Sequence, residues 1–191
     1  KQKTAYEILT CDWSSDVCSS DLEAWRFVLV FDRARQGIHD QEEKAAFASL
    51  QPMTEAMAEH LCRLTLIQAL PALVENDCER FGSAITEIQT LVGDHFSGLQ
   101  GGRYCSQAVA GALMELQGLG AAGCGQSSWG PTGFALFANE THAYQALRQL
   151  REKWPAGADL SFRICRANNQ EASIRTEEAD LSLQTMKRGK S

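Results

Sequence analysis

Four glycines and two serines crowd one short stretch, residues 121–137, AAGCGQSSWGPTGFALF. Gly123, Gly125 and Gly130 surround Gln126, Ser127, Ser128 and Trp129. Glycine lets backbone amides approach a ligand closely and adopts positive φ without a Cβ clash. Successive amides in such a turn form an anion-binding nest, and serine hydroxyls add donors. Phosphate is the ligand such a loop suits. A plainer reading is a hairpin, since Gly130-Pro131 is turn punctuation. The lysine of the GxxxxGK[ST] loop is missing, so this is not that nucleotide motif. Trp129 offers a stacking face to a flat ligand, or simply packs the hairpin.

Other candidates are weaker. Arg33 and Arg35 follow a strand and suit phosphate or carboxylate, though such arginines are more often solvated. Glu87 sits on a helix and reads as a solvated charge before an acid, base or metal ligand. His39, at a loop–helix junction, is given no catalytic role. Cys124 is the loop's only thiol, and no base beside it would activate it.

The elements that position the loop follow from pattern. Residues 25–32, WRFVLVFD, are aromatic and β-branched and predict a strand. Its apolar run at 27–31 predicts burial on both faces. A helix capped by Asp40 follows, with Ala45, Phe47 and Leu50 continuing it. A long amphipathic helix is expected over 52–70. Asn76 or Asp77 caps a third helix over 78–92, which Gly93 is expected to end. Its buried stripe is Phe81, Ala84, Ile85, Ile88, Leu91 and Val92. Residues 94–103 then read as a loop, and 104–116 as a helix with small residues facing a sheet. Residues 121–137 give two strands around the glycine-serine turn. A helix over 141–154 places Tyr144, Leu147, Leu150 and Trp154 inward. Residues 160–166 alternate as a last strand. Strand, helices, strand, strand, helix, strand is an α+β order.

The first 22 residues stand apart. KQKTAYEI and DWSSDVCSSDL are what two sequencing-library adapter primers encode, in the right order and frame. Residues 1–22 are therefore read as translated adapter and set aside. The division expected is 1–22 adapter, 23–168 one domain, and 169–191 a partly disordered tail. The chain carries a net charge of −6, and without the adapter it stays mildly acidic, which excludes an electrostatic footprint for nucleic acid. Cys62, Cys78, Cys105, Cys124 and Cys165 are scattered, without CxxC spacing, and read as reduced cytoplasmic thiols. No apolar run reaches membrane-spanning length. The two-sided apolar strand predicts self-association, a homodimer at its simplest.

The run GQSSWGPTGFA, with its flanks, resembles the C-terminal glycine-rich motif of the beta-ribofuranosylaminobenzene 5'-phosphate synthases, members of the GHMP kinase superfamily. The resemblance extends to WRFVLVFDRARQGIHDQEEKAAF and ALVENDCERFGSAITEIQTLVGDHF. It implies a ferredoxin-like C-terminal domain, an antiparallel sheet packed with helices. It implies condensation of phosphoribosyl pyrophosphate with 4-aminobenzoate or 4-hydroxybenzoate, with loss of pyrophosphate and carbon dioxide, in tetrahydromethanopterin biosynthesis. Pyrophosphate departure calls for oriented amides or positive charge, and a divalent metal such as Mg2+. The resemblance also implies an N-terminal phosphate-binding domain that nothing before Trp25 matches, so the chain is expected to be inactive alone. Two other classes stay open: an ATP-dependent small-molecule kinase, and a non-catalytic ligand-binding domain.

Overall fold

The computed structural model describes residues 21–35, 40–128, 130–154 and 159–167. Strand β1 is Arg26–Asp32. Helix α1 is Asp40–Ser49. Helix α2, Glu55–Arg63, widens into a π-helical segment at Leu64–Ala69 and resumes as α3, Leu70–Val74. Helix α4 is Cys78–Gln100 and α5 is Gln107–Gly118. Strands β2, Gly123–Gln126, and β3, Thr132–Phe137, form a hairpin. Helix α6, Glu140–Lys153, and strand β4, Leu160–Cys165, complete the order.

The sheet order is β2-β3-β1-β4, antiparallel at every pairing. This is the ferredoxin-like arrangement of two interleaved β-α-β units. Alternate residues of a strand face opposite ways, and the register puts Val28, Val30, Ala135, Phe137 and Leu160 on one face. That face holds the main core, closed by Val109, Leu113 and Leu116 of α5 and Ala143, Leu147 and Leu150 of α6. The other face packs on the helical layer around Trp25, Cys78 and Leu136, with the Trp25 and Phe81 rings 5.3 Å apart. In β1 the first face is the better covered. Val28 and Val30 are buried, while Phe27, Leu29 and Phe31 between them are half-buried, so the expected burial of both faces holds for one.

The helices depart from pattern where tertiary contacts intervene. Helix α2 begins at Glu55 rather than at Pro52, capped by Thr54, whose hydroxyl accepts the Met57 N–H at 3.3 Å. The π-helical widening precedes Pro71, which has no N–H for the Ile67 carbonyl four residues back. That carbonyl instead accepts from the Arg80 guanidinium at 3.4 Å. Asp77 caps α4, accepting the Arg80 N–H at 3.0 Å. Helix α4 does not end at Gly93. It continues to Gln100, and Gly101 at φ 81° is the cap. A Cβ on Gly93 would fall 2.7 Å from the Arg103 carbonyl oxygen, so this glycine serves a close approach of chain to helix. The loop expected over 94–103 is therefore mostly helix. Of the predicted α4 stripe, Ala84 is buried and the other members are half-buried. On α6, Leu147 and Leu150 are buried but Tyr144 is 57% exposed, turned away from the core rather than into it. The expectations for residues 1–20, His39 and residues 168–191 lie outside the described residues; Leu22 packs beside Trp25. Among the described residues no helix is long and apolar enough to cross a membrane.

Candidate functional site

Helix α4 runs along the open edge of the sheet. The outward N–H groups of β2 meet its side chains: Cys124 N–H donates to Thr86 Oγ1 at 3.0 Å and Gln126 N–H to Gln89 Oε1 at 2.9 Å. An edge strand with unpaired amides invites aggregation, and here helix side chains satisfy them. The approach is close enough to demand glycine. A Cβ on Gly123 would lie 2.4 Å from the Gly82 carbonyl oxygen, and one on Gly125 would lie 2.4 Å from Gln89 Cγ. Gly123 and Gly125 are thus buried strand residues, and their lack of a side chain is accounted for by helix packing.

The turn beyond β2 is different in kind. Ser127 and Ser128 are exposed. Ser127 N–H donates to the Thr132 carbonyl at 2.9 Å and Gly130 N–H to the Ser127 carbonyl at 3.2 Å. Ser128 sits at φ 52°, in the left-handed region that a non-glycine residue seldom adopts. The amides of Cys124, Gln126, Ser127 and Gly130 are therefore spent on internal bonds. Among the described residues of this loop, the exposed Ser127 and Ser128 offer hydroxyl donors. Trp129 lies outside the described residues.

Beside the turn opens a cavity of ≈ 230 Å³. Gln89, Gly93, Phe96 and Gln100 of α4 form one wall, and Arg103, Tyr104, Gln126, Ser128 and Phe47 complete the lining with Val92. The structure thus brings Gln126 and Ser128 to a cavity with α4 residues that the sequence reading did not single out. Their spacing along α4 was the available signal, since steps of four, three and four keep residues on one helix face. Arg103 donates to Asp94 through Nε at 2.7 Å and Nη2 at 2.9 Å. This fork holds the Asp94 carboxyl below its ordinary value and the guanidinium above. Burial raises the Tyr104 phenol.

Other candidates fall away from this site. Glu87 pairs with His60 at 2.7 Å on the exposed helix surface. Arg35 donates to the Cys105 carbonyl at 2.5 Å, and Arg33 is exposed. Cys124 is fully buried and its thiol is pushed up to about 12 by burial, so it is an inert core residue. The cavity lining offers amides, a hydroxyl, a phenol and a guanidinium, with no carboxylate. Among the described residues no three His, Cys, Asp or Glu side chains converge. These donors do not fit the Mg2+ expected from the diphosphate chemistry, which favours carboxylate oxygens.

Sheet order and helix placement give the chain a ferredoxin-like antiparallel sheet packed with helices. Residues 69–156 match the family model described as GHMP kinases C terminal. A beta-ribofuranosylphenol 5'-phosphate synthase of Methanothermobacter thermautotrophicus is 25% identical over 115 residues, which is 60% of this chain and 33% of that protein. The chain thus spans about a third of the length of this curated relative. Among solved structures, L. major mevalonate kinase in complex with R-mevalonate superposes with a TM-score of 0.55 at 14% identity, over 77% of this chain and 44% of that one. Mevalonate diphosphate decarboxylase from Staphylococcus aureus gives 0.54 at 14% identity, over 79% and 48%. These two show a shared fold.

Proposed function

We propose that this domain forms one wall of the active site of a synthase that joins phosphoribosyl pyrophosphate to 4-hydroxybenzoate or 4-aminobenzoate. The similarity to a synthase named for ribofuranosylphenol 5'-phosphate carries this reading, and that name favours 4-hydroxybenzoate, whose ring keeps its phenolic hydroxyl on loss of carbon dioxide. In the reaction, the ribose C1–O bond breaks and pyrophosphate leaves with its electron pair. The ring carbon bonds to C1, and the electrons of the departing carboxylate restore the aromatic ring as carbon dioxide is released. The hydroxyls of Ser127 and Ser128 donate to phosphate oxygens. Fixed donors at developing charge act more strongly in a sheltered site than in water. The remaining length of the parent protein supplies the opposite wall, so this chain alone is inactive.

Turnover by the full-length parent tests the proposal. The expected result is pyrophosphate and carbon dioxide released in equal amounts from phosphoribosyl pyrophosphate and the aromatic acid, with no ATP requirement. Formation of ADP from ATP and a small alcohol, without pyrophosphate release, would instead assign the parent to the kinases whose fold it shares.

A further inference from the structure

We infer that Gln126 is the residue that positions the glycine-serine loop, and not one of its phosphate donors. The side chain is only 8% exposed. A carboxamide has two N–H donors, and both are used: one meets Gln100 Oε1 at 3.1 Å, the other the Ser128 carbonyl at 2.9 Å. Its oxygen accepts the Cys105 N–H at 2.6 Å. The two backbone partners fix the orientation of the amide, because an N–H can only donate and a carbonyl only accept. No N–H remains for a ligand.

What the carboxamide joins explains its effect. Cys105 precedes Ser106, which caps α5 by accepting the Val109 N–H at 3.1 Å and donates to Asp32 Oδ2 at 2.6 Å. Gln100 lies in the last turn of α4 and donates to the Arg103 carbonyl at 2.8 Å. The segment leading into α5, the end of α4 and the loop therefore meet at one side chain, and Ser106 links this point onward to the end of β1. The bond to the Ser128 carbonyl holds that residue in its left-handed conformation, which otherwise costs free energy for a residue with a Cβ. In this conformation Ser127 and Ser128 are exposed. The substrate in this inference rests on the proposed function; the positioning does not.

Two variants separate the roles. Gln126→Glu is isosteric and keeps the acceptor for Cys105, but loses both donors and sets a carboxylate against two oxygens. Gln126→Met removes all three bonds. Amide exchange is measured on this chain, and Michaelis constants on the full-length parent. In Gln126→Glu, exchange at Ser127 and Gly130 should accelerate by about tenfold or more while β1 and β3 keep their protection. Cys105 should stay protected in Gln126→Glu and lose protection in Gln126→Met. The Michaelis constant for phosphoribosyl pyrophosphate should rise by about tenfold or more, with that for the aromatic acid unchanged. A general loss of structure would move both constants and the strands together. Loop exchange equal to the parent in both variants overturns the inference, as does lost binding with an undisturbed loop, which would make Gln126 a direct ligand. Disturbed loop exchange with unchanged phosphoribosyl pyrophosphate binding upholds the positioning and overturns the proposed substrate. Should Gln126→Met fail to fold, the isosteric variant decides.

Discussion

Arg103 and Asp94 show how little a charged pair at a cavity rim needs to contribute to stability. Both are about half exposed, where solvent screening leaves such pairs worth little. The fork nonetheless lowers the Asp94 carboxyl below its ordinary 3.8. A lowered folded-state value means stability present above the unfolded value and lost as pH falls through the folded one. An NMR titration of Asp94 should therefore give a midpoint below 3.8 that returns to the ordinary range in Arg103→Gln. Acid stability should change only slightly between the two proteins. Thiol reactivity gives a second residue-scale test. Cys78 and Cys124 are both raised to about 12, principally by burial, whereas Cys62 is exposed. Since thiolate is the nucleophile, maleimide at mildly alkaline pH should label Cys62 quickly and leave Cys78 and Cys124 unmodified until denaturant is added. Rapid labelling of Cys124 in the native chain would contradict its place in the core.

At the scale of elements, glycine has opposite meanings at different points of α4. A Cβ on Gly82 would lie 2.3 Å from the Ala122 carbonyl carbon, whereas one on Gly98 meets nothing within 4 Å. Gly82→Ala forces helix and edge strand apart and should cost about 1–3 kcal/mol or more, the range for overpacking. Gly98→Ala should stabilise by about 0.4–1 kcal/mol, because alanine loses less entropy in a helix. Urea unfolding of the two variants gives the signs, and equal shifts in one direction would show that α4 is misplaced. The same contrast marks what was legible in the sequence. Strands β1 and β4 announced themselves through β-branched and aromatic residues and alternation, β2 and β3 through the glycine-serine turn between them, and the antiparallel sheet followed from the family resemblance. Asn76 or Asp77 read as an ordinary helix cap, but only the fold shows that Gly93 is bypassed and Gly101 ends α4, because the reason is the Arg103 backbone packed against Gly93. The cavity was hardly legible. Gln89, Gln100 and Gln126 look like generic polar side chains, and their pairing depends on α4 lying along β2, a contact no local pattern encodes. Tyr144 was misplaced for a related reason: helical periodicity names an apolar stripe, and this residue lies beyond its edge.

For the molecule as a whole, the sheet is unequally covered. Phe27, Leu29 and Phe31 remain half-buried on the face opposite the main core. Apolar area left in contact with water favours association, so the isolated chain should sediment as more than a monomer at high concentration, and a clean monomer would count against this. The chain's length relative to its curated relative places the decisive experiment in the full-length parent. The central claim is that the glycine-serine loop binds phosphate through Ser127 and Ser128. Replacing both by alanine removes two donors without adding bulk. A hydrogen bond to a charged group is worth about 1.5–3 kcal/mol, so losing one or two should weaken binding by about tenfold to a thousandfold. The melting temperature should barely move, since exposed loop side chains contribute few packed contacts. Calorimetric titration of phosphoribosyl pyrophosphate into the parent and into Ser127→Ala/Ser128→Ala makes the measurement directly. The account predicts saturable binding to the parent and at least a tenfold loss in the variant; binding to the variant equal to the parent's would contradict it.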